Sequence, residues 1–257
     1  MSRRFSDKVV VVSETSSDMG KATALGFASE GASITLVDSN RAAGEAVLQM
    51  TIGGGAKAIF IEADVSKEAD ARRIISDTVT TFGRLDILHN NATIVEYGTV
   101  RDMSVEAWDR VNAVNLRSVF LCSKYAIPEM EKQGGGVIIN TSSVQGVSTQ
   151  KHLAAYSASR AGVIALTKMM ALDHAKDGIR VNYVCPIDVV NTHSAAQRSQ
   201  TNDTTATTKS WAEASPIGGI GDTIEVTNTV LFLASDDASS ITGSSLTVGD
   251  GLLTSLI

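Results

Sequence analysis

Val9-Val10-Val11-Val12-Ser13-Glu14-Thr15-Ser16-Ser17-Asp18-Met19-Gly20-Lys21-Ala22 is the stretch on which the reading of the whole chain turns. Four successive valines are too β-branched to favour a helix and too continuously apolar for an exposed strand, so they predict a buried parallel strand. The polar residues after them make a turn, and the alanine-rich pattern from Ala22 to Ser29 makes a helix. Such a turn seats a dinucleotide, because the helix N-terminus offers free N–H groups to the pyrophosphate. Glycines serve it in three ways: for the tight bend, for backbone contact with phosphate, and for packing helix on strand. Only Gly20 is present here, and the turn carries two carboxylates, Glu14 and Asp18.

Outward from the turn, strands and helices alternate along the chain. Strand-like runs at 33–38, 58–61, 85–89, 137–140, 178–184 and 241–248 are separated by helical patterns at 41–50, 67–82, from Ser104 onward, through Tyr156 to Ala175, and at 225–234. That alternation predicts an α/β protein with a doubly wound, seven-stranded, mostly parallel sheet in one domain spanning 1–257. Ligands then bind at the strand carboxyl ends, where Ser13, Asn90, Ser143 and Pro186 fall. Asp38 closes the second strand. An acid there hydrogen-bonds the adenosine ribose and repels a 2′-phosphate, favouring NAD over NADP, though a helix cap or turn acid has the same appearance.

The 257 residues, 43% hydrophobic and 19% charged, suffice for one large core. A net charge of −6 gives no basic field for nucleic acid or an anionic membrane, which leaves a small-molecule or protein partner. No apolar run has the length of a signal peptide or a membrane span, and a cytoplasmic protein is expected. Cys122 and Cys185 read as two small buried hydrophobes rather than a disulfide or metal site, and no metal is expected.

Several motifs together resemble the short-chain dehydrogenase/reductase family, over roughly residues 6 to 251. The opening turn is similar to Thr-Gly-x-x-x-Gly-x-Gly, with Ser13 for Thr, Glu14 for the first glycine, Asp18 for the second and Gly20 retained. Asn90-Asn91-Ala92-Thr93 resembles Asn-Asn-Ala-Gly, and Ser143 is followed thirteen residues later by Tyr156 in Tyr156-Ser157-Ala158-Ser159-Arg160, where the family has Tyr-x-x-x-Lys. The helical period sets Tyr156 and Arg160 on one face, so phenol and cation can meet. The resemblance implies a Rossmann-type fold and a set of roles. Asn115 holds a proton-relay water in a helix kink, Ser143 steadies the substrate oxygen, Tyr156 is the acid/base, and Arg160 stands in for the lysine that lowers the tyrosine pKa and grips the nicotinamide ribose. Ser13, Gly20, Asp38, Asp64 (the adenine-contacting acid) and Asn91 would line the cofactor. Residues 192–214 would form the lid over a substrate pocket, with His193 a solvated loop histidine.

The departures from the family pattern are Glu14, Asp18, Thr93, Arg160 and Ile187, the last in Pro186-Ile187 where the family has Pro-Gly beneath the nicotinamide. All fall on positions that line the cofactor. A carboxylate some 6 Å from a phosphate charge costs roughly 3 kcal/mol at an effective dielectric near 20, about a hundredfold in affinity. No dinucleotide is therefore expected to bind, and NAD if any. Three functions compete: a silent subunit assembled with an active homologue, as in family members that pair active and inactive chains for hydroxyacyl-CoA dehydrogenation in anaerobic toluene breakdown; an NAD-dependent alcohol dehydrogenase or ketoreductase using Ser143, Tyr156 and Arg160; and cofactor-free chemistry resembling the Ser-Tyr-Arg triad of halohydrin dehalogenases. The last places an aromatic where Asp18 stands, and an acid would repel halide. The silent-subunit reading predicts a tetramer, with self or with an active homologue, built through apolar residues at Leu116, Val119 and Phe120, at Ala161, Ile164 and Leu166, and at Leu252, Leu253, Leu256 and Ile257.

Overall fold

The valine run folds as a strand, β1 (Val9–Ser13), buried along its whole length. In the computed structural model, which describes residues 3–187, 215–217 and 222–254, β1 lies inside a seven-stranded sheet. The other strands are β2 (Ser33–Asp38), β3 (Ala58–Glu62), β4 (Ile87–Asn90), β5 (Gly136–Thr141), β6 (Ile179–Pro186) and β7 (Ser245–Val248), in the order β3-β2-β1-β4-β5-β6-β7. Every neighbouring pair is parallel. The helices are α1 (Asp18–Ser29), α2 (Arg41–Gly53), α3 (Glu68–Phe82), α4 (Val105–Asn112), α5 (Ser118–Lys132), α6 (Ala154–His174) and α7 (Thr223–Ala234). The expected doubly wound architecture is therefore present, with α1 starting four residues earlier than the alanine pattern suggested and the last strand confined to four residues.

Side chains alternate across a strand, so the valines serve two cores. Val11 packs into one with Ile74 of α3, Ile127 of α5 and Val163 of α6. Val10 and Val12 pack into the other with Phe27 of α1, Val47 of α2 and Val230 of α7. A strand covered on both faces needs apolar residues at every position, which is why the run is unbroken. Strand order reverses between β1 and β4, and a crevice opens at their carboxyl ends.

Both cysteines are free and buried, as expected of small hydrophobes. Burial pushes the thiols up, Cys122 to about 12 and Cys185 to about 11. Among the described residues no helix is long and apolar enough to cross a membrane. The lid region 192–214, His193, Leu256 and Ile257 lie outside the described residues.

Candidate active site

Below the turn, Ser13 Oγ accepts from the N–H groups of Asn91 (2.9 Å) and Ala92 (3.1 Å), tying the end of β1 to the loop after β4. Asn91 is fully buried and donates to Ser17 Oγ at 3.4 Å, while its Oδ1 accepts from Thr141 Oγ1 at 3.4 Å. Ser17 caps α1, accepting from the Gly20 N–H at 3.1 Å. A Cβ on Gly20 would sit 2.1 Å from the Glu14 carbonyl oxygen, so glycine is required there by packing. Ser13, Gly20 and Asn91 are thus brought together as expected, as the framework of the turn.

Glu14 keeps the left-handed backbone of the glycine it replaces, with φ 57°. Its carboxylate accepts from the Thr93 N–H at 3.2 Å and its side chain lines the cleft. Burial, chiefly, and the neighbouring Asp38 push this carboxyl up to about 8 despite the attraction of Arg160. A carboxyl raised to about 8 favours the neutral form at pH 7, in place of the fixed charge that the sequence suggested. Asp18 opens α1, where the helix dipole favours an acid, and pairs with Lys21 at 3.5 Å.

Asp38 and Asp64, the two acids that the resemblance assigns to adenosine, both stand at strand ends on one side of the cleft. Asp38 is buried at the end of β2, and its oxygens accept from the N–H groups of Ser16 and Asn40, both at 2.8 Å. Asp64 accepts from the Ser66 N–H (2.9 Å) and hydroxyl (2.6 Å), an Asx turn that shapes the loop after β3. With Ala63, Val65, Ala92 and Val114 these acids line a cleft of about 1210 Å³ that runs to Glu14.

Of the catalytic candidates, phenol and cation meet as the spacing suggested. Tyr156 and Arg160 share a face of α6, and the guanidinium carbon lies 5.1 Å from the centre of the Tyr156 ring, over its face. Arg160 is 1% exposed. It donates to the Thr141 carbonyl at 2.9 Å and to Thr93 Oγ1, while its Nε has no partner. The planar fork is longer than a lysine ammonium and finds acceptors inside the wall, which holds it with two bonds to protein. Ser143 ends the loop after β5, its Oγ accepting from the Gln145 N–H at 3.2 Å. Asn115 lies in a π-helical turn (Ala113–Arg117) between α4 and α5. Its side chain accepts from the Ile94 N–H (2.8 Å) and donates to the Ile94 carbonyl (2.9 Å) and Ser159 Oγ (3.2 Å), so it braces the loop after β4 against α6.

Ile187, which the resemblance sets beneath a nicotinamide, packs against protein. It is 1% exposed and packs in a cluster with Val144, Tyr183 and Cys185, its Cβ so close to Gly249 that only glycine fits opposite. Val119 likewise belongs to the core rather than to an outer face. Sequence reasoning missed Thr141, which anchors Arg160, and Ser159, which holds Asn115; neither has a local signature. The Ser17 cap was visible in principle as a serine three residues before Gly20 at a helix start.

The fold and this arrangement are those of a doubly wound oxidoreductase scaffold, and the comparisons agree: the chain belongs to the short-chain dehydrogenase/reductase family, whose model described as "Enoyl-(Acyl carrier protein) reductase" matches residues 14–253. It is 38% identical to an uncharacterized oxidoreductase of Thermotoga maritima, covering 96% of this chain and 98% of that one. It is 36% identical to a cyclohexanol dehydrogenase of an Acinetobacter species, covering 99% and 98%. The crystal structure of an NAD+-bound xylitol dehydrogenase superposes with a TM-score of 0.91 at 31% identity, over 96% of this chain and all of that one.

Proposed function

We infer that the chain is a family member that has lost dinucleotide-dependent turnover and serves as the silent subunit of a hetero-oligomeric dehydrogenase of the alcohol or hydroxyacyl-CoA type. The observation that carries this reading is Arg160: the cation four residues after Tyr156 is buried in the wall, where its fork is committed to the Thr141 carbonyl and Thr93 Oγ1. Thr93 and Glu14 stand in the same wall, joined by the Thr93 N–H. Support for assembly comes from apolar side chains left outside: Phe120 on α5 is 49% exposed and Leu172 on α6 81%. A partner chain would cover them, and a stable interface of that kind buries roughly 2,000 Å² or more. Calorimetric titration with NADH tests the first half; heat with a dissociation constant in the micromolar range would overturn it. Co-expression with a homologue that has the full glycine turn and Tyr-x-x-x-Lys tests the second, and a chain that stays monomeric beside every such homologue overturns it.

A second reading, an NAD-dependent alcohol dehydrogenase using Ser143, Tyr156 and Arg160, is favoured by the similarity to cyclohexanol dehydrogenase and by Asp38 lining the cleft. It predicts oxidation of a secondary alcohol by the isolated chain, abolished in Tyr156→Phe.

A further inference from the structure

The last turns of α5 and α6 meet at the amino ends of β5 and β6, the opposite end of the sheet from the cleft. Gly134 (φ 84°) and Gly178 (φ 74°) turn the chain from each helix toward its strand, and the Gly136 N–H donates to the Gly178 carbonyl at 3.3 Å, which ties the two turns together. Glu131 on α5 and His174 and Asp177 at the end of α6 thereby line one shallow hollow of about 650 Å³. His174 Nδ1 lies 3.4 Å from Asp177 Oδ2 and 3.6 Å from Glu131 Oε1, and one ligand atom from each of the three falls within 4.8 Å of the others.

Those separations are long for hydrogen bonds, which run about 2.7–3.2 Å from nitrogen to oxygen. They match the edges of a tetrahedron around a zinc-sized ion, which bonds of about 2.0–2.2 Å make about 3.3–3.6 Å long. One imidazole nitrogen and two carboxylates are a donor set for a borderline divalent cation, and the negative ends of two helix dipoles favour positive charge at the same place. Asp173 adds a further carboxylate to the lining, against one ammonium there, that of Lys176. We propose that Glu131, His174 and Asp177 form a site for a divalent transition-metal cation of the zinc class, which staples the end of α6 to the end of α5. Water completes the ion's shell, since the protein supplies three ligands. The expectation of no metal rested on the two cysteines; Glu131 comes from another helix, so no spacing announces the site.

The test is calorimetric titration of the full, untagged chain with zinc chloride, after treatment with a chelator and its removal. One ion per chain should bind with a dissociation constant in the micromolar range, and saturating zinc should raise the melting temperature. His174→Ala and Asp177→Asn change partly exposed side chains, so both variants should fold, with their metal-free melting curves as the baseline. Each should weaken zinc about a hundredfold, since even outer partners of a metal site are worth about 10–100-fold, and each should lose the zinc-dependent gain in melting temperature. With Co²⁺ in place of Zn²⁺, ligand-field absorption in the visible should appear in the parent and not in His174→Ala. A parent chain that takes up no zinc at micromolar concentration overturns the proposal, as does binding that survives both substitutions. The site stands apart from the cleft, so either result leaves the silent-subunit reading as it was.

Discussion

An arginine and a lysine at position 160 are different devices on the same helix face. A lysine ammonium is a compact point charge, whereas a guanidinium must satisfy a planar fork. Here the fork is met by the Thr141 carbonyl and Thr93 Oγ1, and the aromatic face of Tyr156 covers it. Arg160→Leu would leave those acceptors unpaired in the interior, and we expect a loss of about 2–4 kcal/mol in chemical denaturation. Undoing the wall should have the opposite effect on binding. The triple change Glu14→Gly, Thr93→Gly, Arg160→Lys should bring NADH into the micromolar range, with each single change giving much less, because Thr93 bonds Glu14 through its N–H and Arg160 through its hydroxyl, which couples the three positions. Fluorescence titration of the four proteins reads this directly.

At the scale of elements, the turn and α1 are held by caps as much as by packing. Ser17 satisfies the Gly20 N–H and donates to the Glu14 carbonyl at 2.8 Å, so Ser17→Ala should cost about 1 kcal/mol and lower the melting temperature. The strands and helices were legible because their periodicities are clean: the valine run, the charged pattern of α3, and the serine that caps α4 all fold as read. The site was legible in its membership and not in its directions. Spacing put Arg160 beside Tyr156, but whether a fork turns toward the cleft or into the wall depends on acceptors contributed by β5 and by the loop after β4, far away in sequence. Ile187 shows the same limit from the other side, since only its register against Gly249 after β7 reveals that it packs inward. The charge of Glu14 was misjudged for a related reason: a carboxyl's ionisation is set by burial, which a sequence does not display.

For the whole molecule, two buried groups titrate against each other. Glu14 is pushed up to about 8 by burial, so between about 4.5 and 8 the folded chain holds a proton that the unfolded chain releases, and stability falls as pH rises through that window. His89, fully buried in β4, is pushed down to about 3, so the folded chain refuses a proton that the unfolded chain binds below about 6.5, and stability falls as pH drops from there toward 3. Each slope is at most about 1.4 kcal/mol per pH unit, and they oppose each other between about 4.5 and 6.5. Denaturation midpoints should therefore be level across that span and decline on both sides. Glu14→Gln should remove the decline above about 6.5 and turn the level span into a slope falling toward acid, while the slope below about 4.5 stays as it was.

Gly20 has a consequence for how such chains are sorted. It survives where the two other turn glycines have gone, and its own side-chain position is occupied to within 2.1 Å by the Glu14 carbonyl. Its persistence therefore reports a tolerance limit of the fold, a position that no drift in ligand use can free. A search that counts glycines in this turn would credit Gly20 as a trace of cofactor use, when it is the one glycine that an abandoned site would still be obliged to keep. Weighting each position by whether a methyl group fits there, rather than by motif membership, would separate chains that have given up their ligand from those that have merely varied the turn.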